Sequence, residues 1–149
     1  MSKYIIKKAK IEDYKDELIE LSRAWVSEDC SNGMVENTIS DLKEPLYVAL
    51  EDGKLIGYIF GHYYKRETKL STIDVGEPCF TIDELYVLKE YRSKGIGKML
   101  FDSLESEIKE KANYITLSTS TKDYMKVLKF YCEIVSMDFH DAYLTKKIN

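Results

Sequence analysis

Three shortages in this 149-residue chain exclude whole classes of protein. It has three cysteines, Cys30, Cys79 and Cys132, an odd number without the spacing of a metal site, so we expect free thiols, no metal and a reducing, cytoplasmic location. No apolar run approaches the length of a membrane-spanning helix, and we expect no membrane partner. Positive charge is in deficit: the net charge of −4 argues against nucleic acid as a partner and is compatible with a cationic substrate.

The remaining composition, 44% hydrophobic and 32% charged, is that of a globular protein. The pattern of apolar residues predicts one domain over residues 1–149, without repeats or an internal boundary. The predicted elements are, in order, a strand Tyr4–Ala9, a helix 12–26, a short helix 34–42, a hairpin of strands 46–50 and 55–64, a strand Phe80–Leu88, a helix from about Lys94 to Ala112, a strand Tyr114–Thr119, a helix Asp123–Ile134 and a last strand Phe139–Ile148. This β-α-α-β-β-β-α-β-α-β order predicts an α/β (α+β) fold with a mixed sheet, in which a β-α-β unit follows an antiparallel hairpin.

The stretch Arg92-Ser93-Lys94-Gly95-Ile96-Gly97 lies between a predicted strand and a predicted helix. A glycine-rich turn at a helix N-terminus exposes unpaired N–H groups that bind phosphate. A dinucleotide fingerprint would need glycine where Leu100 stands, and a P-loop would need Ser or Thr where Met99 stands. Besides those two disfavoured interpretations, a helix that merely begins with small residues stays open.

Together with Leu85-Tyr86-Val87 before it and Phe130-Tyr131 downstream, the motif Arg92-x-x-Gly95-x-Gly97 resembles the GNAT superfamily of acyl-CoA-dependent N-acetyltransferases. The resemblance implies a splayed mixed sheet, acetyl-CoA as cosubstrate, no metal, and direct acetyl transfer to an amine. It implies that the pantetheine arm pairs with the backbone of Leu85, Tyr86 and Val87. The residues implied for the pyrophosphate are Arg92, Ser93, Lys94, Gly95, Ile96, Gly97 and Lys98. Tyr124 stands where the family often has an asparagine that contacts the cofactor.

The resemblance makes Tyr131 the candidate acid for the leaving thiolate, although its helical spacing also suits a core residue. Asp83 and Glu84 are the candidate bases, since two adjacent carboxylates within an apolar strand are unusual. Strand alternation allows only one of them to face the cleft unless a bulge resets the register, and Asp83 is slightly favoured; an exposed strand edge is the alternative. The histidines, His62 and His140, are expected to be structural.

The acceptor is expected to contact residues 20–40, where Glu20, Glu28, Asp29 and Glu36 suggest an acidic rim. Such a rim would suit a small cationic amine, such as a polyamine or an aminoglycoside. A protein N-terminus or lysine side chain, and a sensor that binds acyl-CoA without turnover, are the alternatives. A homodimer is compatible with the sequence. The chain departs from the family after Tyr131, where the usual Gly-Phe turn is missing, which affects the expected orientation of that tyrosine.

Overall fold

The fold is a five-stranded sheet with helices on both faces, as seen in a computed structural model that describes residues 3–149. Its strands and helices are β1 (Tyr4–Ala9), α1 (Ile11–Ser27), β2 (Leu46–Glu51), β3 (Lys54–Lys65), β4 (Pro78–Val87), α2 (Ile96–Ile108), β5 (Tyr114–Thr116) and α3 (Tyr124–Lys129). Short 3₁₀ turns occupy Ile39–Asp41 and Lys89–Tyr91, and a π-helical turn, Phe130–Ile134, continues α3. The strands lie in the order β1-β2-β3-β4-β5, and only β4 and β5 are parallel. The predicted mixed sheet is confirmed.

The hairpin between β2 and β3 forms where Asp52 and Gly53 predict a tight turn. Both residues have positive φ, 49° and 80°. Two consecutive left-handed residues match the right-handed twist of the flanking strands, which is why Asp-Gly favours this turn. The turn fixes the register of the hairpin, and thereby which side of β3 each side chain occupies.

Alternate residues of β3 divide the core into two layers. Tyr58 and Phe60 pack with Leu18 of α1 on one side, which we call the α1 face. Ile59 packs with Leu100 of α2 on the other side, the α2 face. All five side chains are fully buried. The apolar stripe of α2 packs against the sheet. Only eight residues separate the end of β4 at Val87 from the start of α2 at Ile96.

The sheet is split between β4 and β5. These strands pair only where Cys79–Thr81 meets Tyr114–Thr116. Beyond Thr81, β4 continues to Val87, paired with β3 but with no partner on its other edge among residues 3–149. A parallel pair that separates after three residues leaves a gap lined by unpaired backbone groups. We call this the β4–β5 gap.

The second predicted helix, residues 34–42, is wrong: only the 3₁₀ turn Ile39–Asp41 forms there. Its apolar residues do not share a buried face, since Leu42 is buried but Val35 and Ile39 are exposed. Polar contacts instead determine the backbone, because the Thr38 hydroxyl and the Asp41 carboxylate close a capping box over the turn.

The last predicted strand, Phe139–Ile148, is also wrong, since no residue after Ser136 belongs to a helix or strand. Tyr143 and Leu144 are almost fully exposed, so this segment buries too little apolar surface to hold a strand in place. The predicted helix 123–134 is confirmed in part: α3 ends at Lys129 and the π-helical turn takes its last residues.

Candidate functional site

The loop between β4 and α2 presents backbone N–H groups to the solvent. Ser93 and Gly95 have left-handed φ values of 62° and 82°, and Gly95 is the N-cap of α2. The N–H groups of Gly95, Ile96, Gly97 and Lys98 precede the first bonded turn of the helix and have no intrahelical acceptor. Turns of this kind, at the positive end of a helix dipole, form anion sites. We call residues 92–98 the phosphate loop.

The side chains of the phosphate loop have unequal freedom. Ile96 is buried in the core of the α2 face, so only its backbone can meet a ligand. The ammonium of Lys94 lies 5.7 Å from the centre of the Tyr91 ring, and that of Lys98 pairs with the exposed carboxylate of Asp102. Both lysines belong to the loop and are exposed, so they add positive charge to it.

Arg92, by contrast, is tied to the scaffold. Its two terminal nitrogens each donate to the carboxylate of Glu28 at 2.7 Å, and its Nε donates to the Val87 carbonyl at 2.8 Å. The Tyr86 hydroxyl donates to the same carboxylate at 2.5 Å. Burial pushes the pKa of Glu28 upward, but these hydrogen bonds outweigh it and leave that pKa below its ordinary value. Arg92 therefore braces the phosphate loop, and its role as a phosphate ligand stays a prediction.

The strand predicted to pair with pantetheine borders the β4–β5 gap. Leu85, Tyr86 and Val87 are the last residues of β4, beyond the point where β5 departs. The side chains of Tyr86 and Val87 are buried, so the backbone is the accessible part. Backbone groups alternate between the two edges of β4: those of Tyr86 lie in the ladder with β3, and those of Leu85 and Val87 face the gap. The Val87 carbonyl already accepts from Arg92, which leaves the N–H and carbonyl of Leu85 and the N–H of Val87 as the open portion.

Glu84 lies on the α1 face in a polar cluster. Its carboxylate accepts the Tyr58 hydroxyl at 2.7 Å and the side-chain amide of Asn37 at 2.9 Å on both oxygens. Burial raises its pKa above the ordinary value, and the charges of Asp41 and Asp83 add to that shift, against the opposing effect of the two hydrogen-bond donors. A carboxylate held in this way attracts a cation and accepts a proton more readily than an exposed one.

A β-bulge brings Asp83 to the same face as Glu84. The β3–β4 register shifts between Phe60 and Gly61, which leaves Asp83 as the extra residue on β4. The Asp83 carboxylate lies 2.8 Å from Nδ1 of His62, a residue of β3 on the α1 face. Both carboxylates therefore face the same side of the sheet. Regular strand alternation would have put them on opposite sides, and the bulge is what resets the register.

Gly61 is the residue that sequence reasoning missed. A Cβ at this position would lie 2.0 Å from the Thr81 carbonyl oxygen, so only glycine allows the two strands to approach here. A glycine inside an apolar strand pattern is itself a known signal of a bulge or a close backbone approach. That signal was present in the sequence, between Phe60 and His62.

Tyr131 lies in the π-helical turn, half-buried beside the edge of the Phe130 ring. Burial raises its pKa to about 12, so it is protonated at neutral pH. No residue in the described part of the chain hydrogen-bonds to its phenol oxygen. The Phe130 ring packs over Gly97, where an added Cβ would meet it at 3.4 Å, so this turn adjoins the phosphate loop. Tyr124, the first residue of α3, is 60% exposed.

The expected acidic rim is largely neutralised. Glu20 and Glu36 both pair with Arg23, and Asp29 pairs with Lys122. Glu28 belongs to the Arg92 brace described above. Three cations thus face four carboxylates, so the rim keeps one net negative charge, and Asp83 and Glu84 of β4 supply two further carboxylates on the α1 face. No cluster of three or more metal-binding side chains occurs in residues 3–149, and no helix there is long and apolar enough to cross a bilayer.

Comparison with known proteins agrees with this geometry. The model of the Acetyltransferase (GNAT) family matches residues 8–133. Curated proteins gave no match. Similar solved structures include a ribosomal-protein-alanine N-acetyltransferase from Brucella melitensis biovar Abortus 2308 (19% identity, 97% of this chain and 99% of that one, TM-score 0.68) and an aminoglycoside acetyltransferase from an uncultured soil metagenomic sample (17%, 100% and 99%, 0.68). A predicted acetyltransferase from Clostridium acetobutylicum, solved with acetyl-CoA, is also similar (16%, 97% and 96%, 0.67). At these identities the likeness is one of fold.

Proposed function

The chain belongs to the GNAT acetyltransferase family, and on that premise we propose that it transfers the acetyl group of acetyl-CoA to a primary amine of a small cationic molecule by direct attack. The observation that carries the proposal is the position of three features along one stretch of chain. The carboxylates of Asp83 and Glu84, the open edge of β4 and the phosphate loop follow one another between residues 83 and 98. An amine, a thioester and a pyrophosphate could thus be held in one line.

The cofactor half of the proposal rests on backbone groups. The pyrophosphate is assigned to the N–H groups of the phosphate loop, with Lys94 and Lys98 as nearby charges. The pantetheine arm is assigned to the β4–β5 gap, where it can take the place of a strand partner for the open backbone groups of Leu85 and Val87. Such pairing would hold the thioester at a fixed depth beside Glu84, the preceding residue.

The acceptor half rests on the two carboxylates. A free alkylamine has a pKa near 10, so it arrives as an ammonium ion and must lose a proton before it can attack. Glu84, fixed by Tyr58 and Asn37, offers a negative charge that does not have to be ordered when the ammonium binds. Because three of the four rim carboxylates are balanced by cations, we assign the main attraction for the amine to Asp83 and Glu84.

We assign the stabilisation of the leaving CoA thiolate to the Tyr131 hydroxyl. When the amine attacks, the electron pair of the breaking C–S bond passes to the thiolate, which a hydrogen-bond donor stabilises. The Tyr131 hydroxyl is protonated and has no partner in the described residues, so it is free to donate. With a pKa of about 12 it is a weaker acid than an alkyl thiol, whose pKa is near 8.5, and its effect is that of a hydrogen-bond donor.

A panel of acceptors tests the proposal. The protein is incubated with acetyl-CoA and, separately, a polyamine, an aminoglycoside, a lysine-containing peptide and a peptide with a free N-terminus. Thiol release is followed and the product is identified by mass spectrometry. We expect the polyamine or the aminoglycoside to be acetylated with the highest kcat/KM. Preference for a peptide would indicate a protein acceptor in place of the small amine. Binding of acetyl-CoA without thiol release in any mixture would favour the alternative of a sensor that binds acyl-CoA without turnover.

A further inference from the structure

His62 has no part in the reaction described above, although it pairs with Asp83 on the α1 face. Asp83 lies 2.8 Å from Nδ1 of His62, while the ring Nε2 has no hydrogen-bond partner among residues 3–149. The His62 side chain is 44% exposed, so it reaches the surface on the α1 face. It stands on the same face as Glu84, which follows Asp83 in the bulge. The pair therefore borders the place assigned to the amine.

The contact with Asp83 determines which ring nitrogen of His62 carries the proton. A carboxylate can only accept a hydrogen bond, so the neutral ring carries its proton on Nδ1 and keeps the lone pair on Nε2. An aspartate in this position holds a histidine in one tautomer and stabilises the cation that forms when Nε2 accepts a proton. By contrast, three of the lone pairs of the Glu84 carboxylate already accept hydrogen bonds from protein donors.

We propose that His62 is the base that deprotonates the acceptor amine, and that Asp83 acts through it as a positioning residue. This inference rests on the proposed function. Nε2 takes one proton from the ammonium ion, and the freed nitrogen lone pair forms the bond to the thioester carbonyl carbon. The C–S electron pair leaves with sulfur, which receives the second amine proton, and His62 returns the first proton to water. The products are the amide, CoA thiol and one proton, with Glu84 holding the cation in place.

The test compares kcat and KM for the amine in His62→Gln and His62→Ala. Gln is close to histidine in size and has no basic nitrogen, so it keeps much of the packing while removing the base. We expect kcat to fall roughly 10²- to 10⁴-fold in both variants, with KM for the amine changed less than threefold. Added imidazole should restore part of the turnover of His62→Ala, because the small base can enter the vacated space. Asp83→Ala should lower kcat, and Asp83→Glu should recover part of that loss.

His140 provides a matched control, since it pairs with Asp141 through Nδ1 at 3.2 Å and its side chain is 45% exposed. His140→Ala should keep wild-type kcat and show no response to imidazole. A His62→Gln variant that turns over like wild type overturns the inference, and so does a loss in His62→Ala that imidazole leaves unchanged. Wild-type turnover in the same assay tests the proposed function independently, so the two failures are distinguishable. Acetyl-CoA binding should survive in every variant.

Discussion

The Arg92 brace is expected to stabilise the fold even without cofactor. Arg92→Ala removes two hydrogen bonds to Glu28 and one to the Val87 carbonyl, and leaves the Glu28 carboxylate, 15% exposed, without its cation. Breaking a fully buried pair costs about 3–5 kcal/mol, and a surface pair contributes about 0–1. Because the Arg92 side chain is 32% exposed, we expect an intermediate loss of about 2–3 kcal/mol in the free energy of unfolding.

A double-mutant cycle with Glu28→Gln isolates the pair. Urea denaturation of the wild type, both single variants and the double variant should give a coupling energy of about 1–3 kcal/mol. The exposed pair Lys98–Asp102 in α2 is the control, expected to couple by about 0.3–0.5 kcal/mol. A Glu28–Arg92 coupling no larger than the control would refute the brace and would make Arg92 a free cation of the phosphate loop.

Three further substitutions and one control separate binding, chemistry and stability. Tyr131→Phe should lower kcat roughly 10- to 10⁴-fold with an unchanged Kd for acetyl-CoA, measured by steady-state kinetics and calorimetry; equal kcat would remove the tyrosine from the mechanism. Since burial raises the native pKa of Glu84 above its ordinary 4.5, the folded state binds that proton more tightly than the unfolded one, and ionised Glu84 destabilises the fold at neutral pH. Glu84→Gln should therefore gain stability relative to wild type at pH 7, a difference that shrinks as the pH falls toward 4.5 in thermal unfolding, while KM for the amine rises. Gly95→Ala and its control Gly76→Ala both place alanine at a φ above 80° in open space, so each should lower the free energy of unfolding by about 1–2 kcal/mol. Only Gly95→Ala should weaken acetyl-CoA binding in a thermal-shift assay.

Local patterns account for what could be predicted from the sequence. The strand, glycine-rich loop and helix between Phe80 and Ala112 form a continuous stretch, so their order and periodicity were enough to locate β4, the phosphate loop and α2. The Asp52-Gly53 turn likewise depends on two neighbouring residues. Where a structure is determined by residues close in the chain, the prediction was confirmed.

Contacts between distant residues account for what could not. Glu28 and Arg92 are 64 positions apart, and Asn37 and Glu84 are 47 apart, so neither the brace nor the polar cluster has a signal in the local sequence. The alternation of a strand put Asp83 and Glu84 on opposite faces, because the bulge depends on how closely β3 approaches β4. Gly61 gave the one local hint of that approach.

Apolar periodicity alone gave the two wrong elements. The predicted helix 34–42 and the predicted strand Phe139–Ile148 each have apolar residues at suitable spacing. In the first segment Val35 and Ile39 are exposed and Leu42 is the one buried apolar residue, and in the second Phe139, Tyr143, Leu144 and Ile148 are all exposed. A pattern specifies a helix or a strand only when another surface covers its apolar side.

Calorimetric titration of the wild-type protein with acetyl-CoA tests whether the phosphate loop and the β4–β5 gap hold this cosubstrate. We expect saturable binding of one acetyl-CoA per chain, with NAD and ATP binding far more weakly. At 100 times its Kd, acetyl-CoA should add about 2.7 kcal/mol to the free energy of unfolding. Absence of binding at millimolar acetyl-CoA, or equal affinity for NAD, would contradict the assignment of the loop and the gap to acetyl-CoA.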